Sequence, residues 1–275
     1  MRRKHEGWIR GLVLVGLVLI ALLPLLWTLL ASFSIQPDNS GSPPVWTLPA
    51  SFENYQEIRA EQTFFWQELI TNWLISAATT LLTVTVGFCA AYSLARARFK
   101  HRKLLTQSLL ILASLPAIAY VIPLQDVTRR LRLYDTFIGV VLAQAALYAP
   151  FAVYILHGYV RQMQPELEEE AVLNGATLTP LLWQVVLPTL APAVIATAVI
   201  VFVLSWNQFF LPLILTNTNI RALPVMMRDF FGLERDFEWS KAAAVIMISV
   251  LPVGVFVAFA HRILEGFSLM PHLDS

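Results

Sequence analysis

The chain has 275 residues, of which 57% are hydrophobic and 13% charged, and its mean hydropathy is +0.65. That balance excludes an ordinary soluble domain, and a net charge of +1 points to neither nucleic acid nor an acidic substrate. The single cysteine, Cys89, excludes an intrachain disulfide, and its place inside an apolar run reads as a packed thiol.

Runs free of Asp, Glu, Lys and Arg cover residues 11–35, 69–95, 104–125, 136–156, 171–220 and 242–260. A membrane-spanning helix needs about 20 apolar residues, so each run except the fifth predicts one span. The fifth holds half of a loop and then a span over about 191–215. The expected fold class is all-α: a polytopic integral membrane protein with about six transmembrane helices, forming a single domain over residues 1–275. The first run exceeds the roughly 7–15 apolar residues of a secretory signal, so it reads as a retained span.

Arg2, Arg3, Lys4 and Arg10 precede the first run, whereas the connection after it holds Arg59 among Asp38, Glu53, Glu57, Glu61 and Glu68. This places the amino terminus inside. Arg96, Arg98, Lys100, Arg102 and Lys103 mark the next inner connection, and parity puts residues 159–190 and the carboxyl terminus inside as well. Arg129, Arg130 and Arg132 fall in an outer connection against the trend, flanked by Asp126 and Asp135. Two outer stretches carry aromatics: about 36–68, with Pro37, Pro43, Pro44, Trp46, Pro49, Phe52 and Tyr55, and about 216–241, with Asp229, Phe230, Phe231, Asp236 and Trp239. They suit docking of an extracytoplasmic partner and, equally, an interfacial aromatic belt.

The inner connection at 159–190 reads as helix, turn, helix. Pro165 suits a first helical turn, and Glu166, Glu168, Glu169 and Glu170 lie where the amino-terminal dipole favours carboxylates. Gly175 is a natural stop because it accepts left-handed backbone. Thr179 is the expected cap of a second helix, with Pro180 at its first position, and Pro188 is expected to interrupt it. Leu167, Ala171 and Leu178 are spaced to offer apolar anchors to a partner's groove, with carboxylates at the rim.

Within that connection, Glu169-Glu170-Ala171 is followed by three residues, Gly175, nine residues, and Val185-Val186-Leu187-Pro188. The spacing resembles the coupling loop of ABC importer membrane subunits, written Glu-Ala-Ala, three residues, Gly, nine residues, Ile-x-Leu-Pro. The lead-in from Pro165 to Glu168, with Ala176, Trp183 and Pro192, resembles the carbohydrate-uptake branch, in particular the smaller membrane subunit of maltose transporters. Glu170 stands where Ala is usual and Asn174 where Asp is usual. The resemblance runs from the first apolar segment to His261-Arg262 and fades over residues 270–275. It implies a coupling set of Glu168, Glu169, Glu170, Ala171, Asn174, Gly175, Leu187 and Pro188 that meets an ATPase. It further implies a second related membrane subunit, two ATPase subunits that bind ATP and Mg, an extracytoplasmic solute-binding protein, a prokaryotic plasma (inner) membrane location and a sugar-like cargo. No nucleic acid partner and no cofactor in this chain are expected.

Residue chemistry narrows the alternatives. Lys occurs at 4, 100, 103 and 241, never after Gly, so the chain lacks a P-loop and is not expected to be the ATPase. The predicted spans lack the paired ionisable groups of a proton- or sodium-driven carrier. His5, His101, His157, His261 and His272 lie near span ends or tails without metal-ligand spacing and read as surface or interface residues. Uncharged spans favour a neutral, polyhydroxylated cargo. Asn72, Tyr120, Gln144, Trp206, Asn207 and Gln208 are the candidate substrate path, since amides bond hydroxyls and aromatic faces cover sugar rings. Trp73, Tyr148, Ser205 and Phe209 accompany them. Interhelical hydrogen bonding is the competing use of the same residues, and in the family resembled the partner membrane subunit holds most sugar contacts. A permease for glycerol phosphate or another small polar solute, and a receptor or assembly factor on an importer-like fold, stay open at this point.

Overall fold

The structure, a computed structural model, describes residues 2–33, 51–61, 63–97, 100–227 and 239–268. The expectations for Pro37 to Pro49, for Asp229, Phe230, Phe231 and Asp236, and for the tail from 269 lie outside those residues. Every regular element among the described residues is helical. In order they are α1 (Arg2–Ser32), α2 (Glu53–Glu61), α3 (Thr63–Arg96), α4 (Arg102–Ser114), α5 (Ile118–Arg130) and α6 (Phe137–Gln162). There follow α7 (Pro165–Leu173), α8 (Leu178–Thr189), α9 (Ala191–Trp206), α10 (Phe210–Leu215), α11 (Leu223–Met227) and α12 (Trp239–Ser268). The chain divides into two compact units, Met1–Gln67 with Met226–Leu251, and Glu68–Val225 with Pro252–Ser275.

In the first unit, α2 is tied to the end of α1. The Asn54 amide donates to the Ser32 carbonyl at 3.0 Å, Ser32 Oγ and the Tyr55 hydroxyl share a 2.6 Å bond, and Phe33 packs edge-on to Phe52 at 5.2 Å. Lys241 pairs with Glu57 at 2.7 Å. The apolar side chains of α1 from Val13 to Leu26 are mostly exposed. Such a stripe is unfavourable in water and suited to a hydrocarbon layer.

The second unit carries two apolar cores. One gathers Phe88, Ala91 and Tyr92 of α3, Leu156 and Val160 of α6, and Leu181 and Val186 of α8. The other gathers Ile75, Val121, Val140, Leu147, Val201 and Leu211. Thr136 caps α6 by accepting from the Gly139 amide at 3.0 Å. Gly139 is required there, because a Cβ would lie 2.0 Å from the Leu133 carbonyl oxygen. Cys89 is exposed on α3, not packed as its apolar surroundings suggested. Phe88, Ala91 and Tyr92 occupy the inward face, and Cys89 falls on the other side of the helical turn.

Among the described residues four helices are long and apolar enough to cross a membrane, over Val13–Ser32, Phe65–Arg96, Phe137–Gln162 and Trp239–Gly266. The count reaches the expected six if two bent pairs each make one span. The third expected span is not continuous: α4 and α5 meet at 99°. Pro116 lies at the corner, and Leu115 before it is extended at φ −72°, ψ 137°, the conformation that a following proline favours. The Tyr120 hydroxyl fastens the corner by donating to the Leu112 carbonyl at 2.6 Å. The fifth span stops at Trp206 and resumes as α10 at Phe210, while α8 and α9 meet at 79° beside Leu190.

Candidate functional site

The 159–190 connection is built as a short arm on the second unit. Pro165 opens α7, and the helix closes on Gly175 at φ 86°. The Ala176 amide donates to the Ala171 carbonyl and the Gly175 amide to the Val172 carbonyl, both at 2.9 Å. These two bonds satisfy carbonyls at the helix end in the Schellman pattern, which only a residue at home in left-handed backbone closes without strain.

The three consecutive glutamates do different work. Glu168 is buried: Arg96 binds its Oε1 through Nε at 2.8 Å and also through Nη2, and the Tyr92 hydroxyl donates to its Oε2 at 2.9 Å. Arg96 Nη2 additionally donates to the Met163 carbonyl at 3.3 Å. Charge-assisted bonds of this kind are about twice as strong as neutral ones, so α7 is locked to the end of α3. Glu169 and Glu170 point outward. Sequence reasoning missed this role of Arg96, which it counted among the inner charges, and did not single out Tyr92 within the 69–95 run. Their i, i+4 spacing at the end of one helix was the available signal.

The second helix departs from expectation in detail. It starts at Leu178 after Thr177, so Thr179 is not its cap. Leu181–Val186 forms a π turn in which the Leu187 amide reaches the Leu182 carbonyl. Pro188 lacks an N–H and its ring crowds the carbonyl four residues back. The widened turn accommodates it, and the helix continues to Thr189.

On the outer surface of the arm Leu167, Val172, Leu173 and Leu178 are exposed by 40%, 55%, 87% and 63%. Exposed Glu169, Glu170 and Asn174 accompany them. Ala171 and Leu187 pack partly against the core, and Pro188 is exposed. An apolar patch with carboxylates beside it fits a groove that has a cationic rim.

The polar residues of the spans are mostly committed to one another. Asn72 donates to the Trp206 carbonyl at 3.2 Å. The Gln144 carbonyl oxygen accepts from Thr79 at 3.4 Å and from Ser205. Gln208 donates to the Tyr148 hydroxyl at 3.0 Å, which in turn donates to the Leu204 carbonyl at 3.0 Å. Trp206 is buried, and Tyr120 serves the α4–α5 corner. Asn207 differs, being exposed where α9 ends, with its amide donating to the Val203 carbonyl at 2.8 Å. The structure therefore gathers Asn72, Gln144, Trp206 and Gln208 around the α9–α10 break and leaves Asn207 turned outward from it.

Asp135 organises the far loop. Its carboxylate accepts from the backbone amides of Asn217, Thr218, Asn219 and Ile220 at 2.8–3.3 Å, while its own amide donates to the Leu215 carbonyl. Burial opposes its charge, yet the four amides outweigh burial and hold its carboxyl below the usual range. Asp135 adopts φ 59°, which Asp tolerates better than most residues.

Apolar helices of spanning length and an outward apolar and acidic helix-turn-helix are the features of a membrane component with a docking arm. The family described as binding-protein-dependent transport system inner membrane component matches residues 83–266, and this chain belongs to it. The chain is 30% identical over 271 residues to the trehalose/maltose transport system permease protein of Thermococcus litoralis, with 96% of this chain and 97% of that one covered. It is 34% identical over 254 residues to the trehalose transport system permease protein of Mycobacterium tuberculosis, covering 90% and 91%. It also superimposes with a TM-score of 0.75 on a chain of a bacterial ABC transporter involved in the import of the acidic polysaccharide alginate, at 19% identity over 94% and 96% of the two chains. At that identity the likeness shows the fold. The chain is thus a permease subunit of an ABC importer, an inner-membrane component that works with ATPase and substrate-binding partners and is not itself the enzyme.

Proposed function

We propose that this permease carries a neutral saccharide or glycosyl polyol, and that Glu169, Glu170 and the Leu167–Leu173–Leu178 patch seat its arm in a groove of an ATPase subunit. In the assembly we infer, two ATPase subunits with their ATP and Mg, a second related membrane subunit and an extracytoplasmic solute-binding protein surround this chain. The termini and the arm are cytoplasmic, as the basic clusters at Arg2–Arg10 and Arg96–Lys103 favour. The observation that carries the reading is the Arg96–Glu168–Tyr92 lock. A push on α7 is delivered to α3, and about 36 Å along that helix, at 1.5 Å per residue, Asn72 holds the carbonyl at the α9 break. ATPase closure would thereby switch the spans between inward-open and outward-open states. The trehalose and maltose named for the two permease relatives and the charge-free apolar runs support a saccharide.

The test is the reconstituted complex, assayed for binding-protein-stimulated ATP hydrolysis and for uptake of labelled trehalose and maltose. Glu169→Ala should lower stimulated hydrolysis and ATPase-subunit retention while the chain still reaches the membrane. Unchanged values would remove the arm from coupling, and indifference to every saccharide would remove the cargo class. In a Cys89→Ala background, labelling of a cysteine at position 178 by an impermeant reagent from outside intact cells would overturn the orientation.

A further inference from the structure

At the base of the arm, Thr106 of α4 and the last turns of α6 border an open cleft of about 680 Å³, lined also by Tyr154, His157, Tyr159, Arg161 and Gln162. Its volume falls in the roughly 300–1,000 Å³ range of small-ligand sites. One feature of its wall is unexplained by folding. His157 is 4% exposed, and among the described residues its buried Nε2 has no hydrogen-bond partner. A buried polar atom left unpaired costs about 1–3 kcal/mol, so rotation of the ring toward a bound acceptor would relieve a standing penalty. Arg161 lines the cleft, and Arg102 stands next to it, one turn before Thr106 on α4. Neither guanidinium makes an ion pair among the described residues.

Two cations without a counterion, beside a histidine lacking a partner, form the complement of an anion with several acceptor oxygens. We propose that this cleft binds a phosphate group, held by Arg161 of its wall and by Arg102 beside it, with His157 as a further hydrogen-bonding group. Phosphate chemistry has two sources here, the headgroup of an anionic phospholipid and free phosphate or a phosphorylated solute. The cleft lies beside the basic connection that holds Lys100 and Lys103, and basic pockets between transmembrane helices take anionic headgroups. The proposal is independent of the cargo assignment.

The experiment uses the whole importer complex in nanodiscs made with photoactivatable phosphatidylglycerol or with the phosphatidylcholine analogue, followed by peptide mapping. Phosphatidylglycerol should label the 154–162 peptide, and Arg161→Gln should reduce that labelling about tenfold, the equivalent of one charge-assisted bond of about 1.4 kcal/mol. Arg130→Gln, which removes a cation elsewhere, should leave it unchanged. Equilibrium dialysis with labelled inorganic phosphate in choline-only nanodiscs is the second arm. Phosphate binding that is lost in Arg161→Gln, without lipid labelling, supports the site and assigns it to a soluble ligand. Equal labelling by both lipids together with no phosphate binding overturns the proposal, as does a parental level of binding in the Arg102→Gln/Arg161→Gln double variant.

Discussion

Arg96→Ala would leave the Glu168 carboxylate, whose side chain is 11% exposed, with the Tyr92 hydroxyl as its remaining donor. Breaking a fully buried ion pair by removing one partner costs roughly 3–5 kcal/mol. Because the two side chains retain 26% and 11% exposure, a loss of about 2–3 kcal/mol is expected here. Glu168→Ala should cost less, about 1–2 kcal/mol, since the stranded guanidinium keeps the Met163 carbonyl and has more access to water. At roughly 2–4 °C per kcal/mol for a domain of this size, the purified complex should melt about 4–12 °C lower for Arg96→Ala and less for Glu168→Ala. The double variant Arg96→Met/Glu168→Leu strands no charge and should regain most of the stability. It has no polar lock between α7 and α3, so its binding-protein-stimulated ATP hydrolysis should stay low. Melting and stimulated hydrolysis measured on all four proteins separate the two roles. The reasoning is refuted if both single variants melt like the parent, or if the double variant restores hydrolysis along with stability, which would make the pair merely structural.

At Gly175 a Cβ meets nothing within 4 Å, so strain at φ 86° is the sole obstacle. Gly175→Val should cost about 1–2 kcal/mol locally and uncouple hydrolysis from the binding protein, while Gly175→Asn, which tolerates left-handed backbone, should retain most coupling; equal loss in both would contradict the turn argument. Asp135 has a depressed carboxyl pKa in the folded chain, so its stabilisation of the 216–220 loop is fully present above the unfolded value near 3.9 and is lost as pH falls through the lower folded value. Asp135→Asn should remove that acid dependence and, at neutral pH, speed hydrogen exchange at Asn217–Ile220 about tenfold; parental exchange would show that the amides are held by something else. Asn207→Ala should reduce saccharide uptake without loss of assembly, whereas Gln144→Ala should lower yield or melting first, because Thr79 and Ser205 lose their shared acceptor. Normal transport in Asn207→Ala would remove that residue from the path.

Hydropathy along the chain was enough to give an all-helical membrane protein, because burial in hydrocarbon depends on local composition and about 20 residues of length. Local rules also placed Pro165 at the start of α7 and Gly175 at its end, since proline geometry and left-handed backbone are properties of single residues. The motif spacing around Glu169 and Gly175 was legible through its resemblance to the family's coupling loop. Direction across a helix was not. Which of Glu168, Glu169 and Glu170 turns inward depends on the phase of α7 against a core contributed by α3, 72 residues earlier. Only the tertiary structure decided that Glu168 meets Arg96, that Cys89 faces out and that Asp135 gathers four amides more than 80 residues away. It also decided that Asn72, Gln144 and Gln208 bond to neighbouring helices, since a polar side chain in a span is equally suited to cargo or to another helix until its neighbours are in place. The 99° corner at Pro116 lies between the two levels. Proline announces a break, but whether the helices continue as one tilted span or turn back is set by what they pack against.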